Sequence, residues 1–160
     1  MGYTNFYKAP IIMDAEKFKL LSVELETVAG LLPAHSESAG GYYSKEYLVL
    51  AGFDGTGNPV FTNDDIRFNG DSIKGLDHET FYISQDNTKH ANAMGSKGGL
   101  ISEFIKTNRK PYDLMVKISM LRLKHHFPES KISCDGEAPD WKHAKEIYKK
   151  AFGGRMPKIN

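Results

Sequence analysis

The sequence predicts an α+β fold: a mainly antiparallel sheet of about five or six strands with three helices packed on it, in a single domain over residues 1–160. Short alternating apolar runs are separated by polar turns containing Gly, Asn and Asp, a spacing that suits hairpins better than parallel crossovers. Three longer stretches carry apolar residues three and four apart, the period of a helix buried along one side. The segments fall in the order βαββββαβα, with a run of strands in place of strict alternation.

Each element has a local reason. "GYTNFYKA" is aromatic and alternating, so it predicts a first strand ended by Pro10, which has no N–H to continue a ladder. Asp14 is placed to cap a helix whose Phe18, Leu21, Leu25, Val28 and Leu32 share one face, and Pro33 closes it. "AHSESAGG" is a polar connection. "EYLVLAGF" is apolar enough for a central strand, and "DGTGNP" is turn chemistry. "VFTNDDIRFNG" puts Ile66 and Phe68 on one face, and "ETFYIS" sets Thr80 and Tyr82 against Phe81 and Ile83. "QDNTKHANAMGSKGG" reads as one long irregular loop, the length of a lid or binding loop.

"LISEFIKTN" resumes the strand pattern. Pro111 then suits the first turn of a helix apolar nearly all round, the expected buried central helix, with His125 and His126 where the dipole tolerates positive charge. "KISCDG" is a last short strand. Asp140 can cap a final helix carrying Trp141, Ala144, Ile147, Tyr148 and Ala151, stopped by Gly153.

Composition bounds the function. With 40% hydrophobic and 26% charged residues the chain can bury a core. A net charge of +1 provides no overall field toward nucleic acid or membrane, so neither is an expected partner. The single cysteine, Cys134, rules out an internal disulfide and fits a reducing compartment. The N-terminus lacks a signal-peptide pattern and no apolar run reaches membrane-spanning length, so a soluble, cytoplasmic protein is expected. Oligomeric state leaves no mark in the sequence.

Three polar islands bear on chemistry. His78-Glu79-Thr80 offers an imidazole, a carboxylate and a hydroxyl side by side at a strand entrance. Two-histidine phosphoesterases hold a phosphodiester between paired H-x-T or H-x-S elements, but no other histidine here has Ser or Thr two places on, so one copy is half a site. On a strand Glu79 would also face away from His78. The same residues would serve as hydrogen-bond partners at the strand entrance.

"KTNRKPYD" gathers Lys106, Arg109 and Lys110 before a helix N-terminus, with Thr107 and Asn108 as neutral donors and Tyr112 as a ring to stack on. A phosphorylated or nucleotide-like ligand needs such a set, and a solvated basic turn would look the same. "GSKGG" could form an anion nest or a plain polar loop. His125, His126, Cys134 and Asp135 hold metal-ligand types, but adjacent helical histidines point about 100° apart, and no metal or cofactor is expected.

The islands MGYT, GFDGTG, FNG, HETF, KPYD, KHHF and S-C-D-G, with Trp141 beyond the last, span nearly the whole chain. In this combination the chain resembles a family of small proteins of tailed phages and bacteria with no established activity. The resemblance implies a phage or prophage accessory protein and supplies no catalytic residues. By analogy with phage proteins that bind or destroy nucleotide signals of host immunity, a small anionic, nucleotide-like ligand is the expected partner. Its anion would lie near Arg109 and Lys110, with Thr107, His78, Thr80 and Asp135 as hydrogen-bonding groups and Tyr3 or Tyr112 stacking. The alternatives are a phosphoester hydrolase using His78 with Glu79 or Asp135, and an inhibitor that binds a host protein through Tyr42, Tyr43 and Tyr47.

Overall fold

A computed structural model describes residues 2–32 and 48–160. The first strand, β1 (Thr4–Pro10), lies at the centre of a sheet, because its alternation sends Tyr7 and Ala9 into the core while Phe6 and Lys8 face out. It pairs antiparallel with β5 (Leu100–Lys106) on one side and β6 (Lys131–Cys134) on the other, in the order β5-β1-β6. A second antiparallel sheet has the order β2-β3-β4, made of β2 (Val60–Phe61), β3 (Asp65–Phe68) and β4 (Phe81–Ser84).

Among the described residues four helices accompany the sheets: α1 (Ala15–Ala29), α2 (Thr88–Met94), α3 (Asp113–His126) and α4 (Lys142–Phe152). Asp14 caps α1 as expected, its Oδ1 accepting the Lys17 N–H at 2.9 Å. The predicted face of α1, Phe18, Leu21, Leu25, Val28 and Leu32, is buried. α3 is buried nearly all round and packs against α1, α4, β1 and β6. The buried apolar residues form one cluster that includes both sheets, with Phe68 stacked on Phe81 at 4.8 Å.

Three expectations need correction. The strands build two three-stranded sheets, not one of five or six, because β4 meets the first sheet through its ends and through side chains. At one end the Glu79 N–H donates to the Lys106 carbonyl (3.1 Å). At the other, the Met13 N–H donates to Gln85 (2.9 Å) and the Asn87 N–H to Ile11 (2.6 Å). Between them the Tyr7 hydroxyl donates to the Tyr82 carbonyl at 2.8 Å, standing in for a ladder bond. Second, the helices among the described residues number four, since residues 88–94 form α2 inside the stretch read as a loop. Lys97–Leu100 after it is a tight reverse turn with mutual backbone bonds, and Gly98 and Gly99 supply the positive φ it requires.

Third, the described part of "EYLVLAGF", residues 48–53, contains no strand. Ala51 pairs once with Asn69, and the chain then curls as the Gly52 N–H turns back to the Thr56 and Gly57 carbonyls. Pro33, "AHSESAGG" and Tyr42, Tyr43 and Tyr47 lie outside the described residues. Among the described residues no helix is long and apolar enough to cross a membrane.

One ion pair locks the helical layer. Arg122 of α3 grips Glu24 of α1 through two parallel bonds (Nε–Oε2 2.6 Å, Nη2–Oε1 2.8 Å) and donates to the Tyr148 hydroxyl of α4. His126 Nε2 lies 2.8 Å from the same carboxylate. Burial would raise the Glu24 pKa, but the bonds from Arg122 and His126 outweigh it and hold the carboxyl below its ordinary 4.5. The folded-state value is thus the lower one. The stabilisation is complete above pH 4.5 and is lost as pH falls through the folded value. Glu24→Gln should cost about 2 kcal/mol or more at neutral pH by leaving Arg122 with a neutral partner, and should flatten the acid limb of a Tm-against-pH curve.

Candidate functional site

The most heavily wired region lies where β5 hands over to α3. After Lys106 the Thr107 and Asn108 N–H groups both donate to the Tyr3 carbonyl (2.9 and 3.1 Å). Asn108 and Arg109 then adopt left-handed backbone (φ 52° and 56°), an uncommon conformation for two successive non-glycine residues. This turn lays the Arg109 guanidinium over the Tyr3 ring at 4.0 Å, and Lys117 Nζ approaches that ring at 4.5 Å.

Asp113, in the first turn of α3, organises the surroundings. Its Oδ1 accepts from Asn5 Nδ2 (2.6 Å) and Thr107 Oγ1 (2.5 Å), and its Oδ2 accepts from Lys117 one turn on. The Lys117 side chain is only 2% exposed, so this bond neutralises a cation held inside the protein. Asp140 mirrors the arrangement at the other wall. Its Oδ2 accepts the Glu137 N–H at 2.9 Å, capping the 3₁₀ turn Ala138–Trp141, and its Oδ1 accepts from Arg109. Gly136 makes this possible: a Cβ there would lie 2.2 Å from Asp140 Oδ2 and 2.9 Å from the Tyr3 hydroxyl.

Between these groups is a cavity of about 240 Å³, bordered by Arg109, Asp113, Lys117, Asp140 and His143. The first turns of α3 and α4 both contribute to its wall. Burial would raise the Asp140 pKa, but its bond from Arg109 outweighs this and keeps the carboxyl below the usual range. The bond to Asp140 also raises the Arg109 pKa. Burial, then the hydroxyl's bond to Cys134 Sγ (3.0 Å), then the Asp113 charge push the Tyr3 phenol well above its ordinary value, so it stays neutral.

A second cavity, about 310 Å³, opens between β4 and the inner face of β5, with Tyr7, Thr80, Tyr82, His90 and Glu103 on its walls. His90 Nδ1 is 3.1 Å from Glu103 Oε1. Burial raises the Glu103 pKa, with His90 opposing. Here an imidazole and a carboxylate are in direct contact.

The structure divides the residues singled out in the sequence. Arg109 borders the first cavity, while Tyr3 lies beneath its guanidinium, Thr107 is buried on Asp113, and the Asp135 Oδ2 accepts the Thr4 N–H at 2.9 Å. His78 and Glu79 border neither cavity. They clasp the backbone of one residue: His78 Nδ1 is 2.7 Å from the Lys106 carbonyl, and Glu79 Oε2 accepts the Lys106 N–H at 2.6 Å. The expectation that Glu79 faces away from His78 fails because both precede β4 and reach the backbone of the same residue. Thr80 accepts from the Asp54 N–H (3.0 Å) and Asn69 Nδ2 (3.1 Å). Lys110 donates to the Gly75 carbonyl, and Tyr112 is fully buried with its hydroxyl on the Glu79 carbonyl. No ring face of Tyr112 is open for stacking, and Tyr3 is covered by Arg109 and Lys117.

Sequence reasoning missed Lys117 and Asp113, although a lysine inside the apolar run "LMVKISML" was the signal, since such a charge needs an acid one turn away. It missed His143, His90 and Glu103 for want of any local pattern. Among the described residues no group of three or more His, Cys, Asp or Glu converges as metal ligands. No protein-family model, no curated protein and no solved structure matches this chain.

Asp113→Ala strands Lys117 as an unpaired internal cation and should lower stability by about 3 kcal/mol in urea unfolding. Adding Lys117→Met removes the stranded charge, and the double variant should recover most of the loss.

Proposed function

We propose that this chain binds a small anionic, nucleotide-like ligand in the cavity at the first turns of α3 and α4. The observation that carries the reading is convergence: Arg109 from the turn after β5, Lys117 from α3 and His143 from α4 all border one hollow. The two carboxylates there do not repel an anion outright, because Asp113 and Asp140 are each already engaged by several donors. An arriving phosphoryl group draws Arg109 from Asp140. The Arg109 side chain is 47% exposed, so its guanidinium, backed by Tyr3, offers its outer face to a flat ring. A volume of about 240 Å³ suits a phosphoryl group with its sugar, leaving the ring at the mouth.

Carried by a phage or prophage, as the sequence resemblance implies, such a protein would hold a nucleotide signal of host immunity without turning it over. The hydrolase alternative draws no support from His78, whose Nδ1 is engaged at Lys106.

The test is a thermal-shift screen of mono-, cyclic and dinucleotides, with product analysis in parallel. A mononucleotide-sized ligand at about 100 times its Kd should stabilise the protein by about 2.7 kcal/mol, raising Tm by roughly 5–10 °C. Arg109→Gln should abolish the shift while leaving the unliganded Tm nearly unchanged. A flat screen sinks the proposal, and turnover replaces it with an enzyme.

A further inference from the structure

We infer that the outer face of the β5-β1-β6 sheet is a binding platform for single-stranded nucleic acid. The register builds it. Phe6 of β1 lies directly opposite Phe104 of β5, and they are 41% and 59% exposed, two large rings open to solvent in the middle of a sheet. Lysines flank them on the same face. Lys8 is opposite Lys131 of β6 and Ser102 of β5, and Lys106 is opposite Thr4 at the far end. Ser133, opposite Phe6, completes the grid. No acid occupies any of these positions. The carboxylates of Glu79 and Asp135 accept the backbone N–H groups of Lys106 and Thr4.

The net charge of +1 hides this face, because the acids that balance it lie elsewhere in the chain.

Exposed aromatic rings within a basic field fit bases that are already unpaired. Every base has a flat π-face to stack, and the phosphates between bases meet the lysines. A duplex keeps its bases stacked on one another and offers the two phenylalanines nothing. An acidic protein partner would satisfy the lysines but leave the paired rings without flat groups to stack on.

The experiment is fluorescence anisotropy of the full chain with a labelled oligouridine or oligothymidine of about ten nucleotides, within the site sizes of single-strand binders. At about 50 mM salt the single strand should bind and a duplex of equal length should bind much more weakly. With about three lysine–phosphate contacts, log Kd should rise with log salt at a slope of about 2. Phe104→Ala and Phe6→Ala should each weaken binding about tenfold with an unchanged Tm, since both rings are exposed. Arg109→Gln should bind as the wild type does, which separates this face from the cavity at α3. Absence of single-strand binding overturns the inference, as does equal binding of duplex or wild-type affinity in both phenylalanine variants. Phe104-dependent self-association in analytical ultracentrifugation, without oligonucleotide binding, also overturns it and assigns the face to a second copy.

Discussion

An internal lysine demands a carboxylate, and that requirement organises this molecule. Lys117 sits within a helix buried nearly all round, and Asp113, one turn earlier, takes its ammonium group. Once Asp113 is fixed there, its second oxygen draws in Asn5 from β1 and Thr107 from the end of β5. The first sheet and the central helix are therefore joined through one carboxylate. Tyr3 lies between Lys117 and Arg109 as a result, and Arg109 reaches Asp140 across the cavity. The candidate site is thus the open side of a junction the fold needs anyway, which explains why its cations arrive already paired.

The triad His78-Glu79-Thr80 shows the opposite relation. Its residue types suggest proton transfer, yet each side chain is engaged with backbone or with Asn69. Asn69, fully buried, binds the His78 N–H and carbonyl on one side and Thr80 on the other. His78 and Glu79 then take the carbonyl and the N–H of Lys106. The cluster lies where the two sheets meet without a ladder, and its polar groups satisfy backbone that regular pairing would otherwise have satisfied.

Elements were legible wherever period and punctuation agreed. α1 declares itself through Asp14 and five apolar residues on one face, and β1 through strict alternation closed by Pro10. The failures share a cause. "EYLVLAGF" is apolar, but a strand also needs a partner, and Ala51 finds Asn69 for only one pair before Gly52 turns the chain. α2 hid in a polar stretch because a seven-residue helix with no buried residue has no face to display. At the site, Arg109 and Thr107 stood out by local charge and donor content. His143 and Asp140 come from another element, and nothing along the chain says that two helices start at one hollow.

The first sheet also has a bearing on how the chain assembles. β1 precedes both of its partners, β5 and β6, by a long stretch of chain, and the Tyr3–Cys134 and Thr4–Asp135 contacts span 131 residues. At ordinary ribosomal speeds of about 5–20 residues per second, β1 waits several seconds with both edges unpaired. Closing so long a loop is entropically costly before any contact repays it, so this topology folds slowly for its size. The lysine at Lys8 and the proline at Pro10 then acquire a second use. They make the waiting strand a poor template for intermolecular pairing until its own partners emerge.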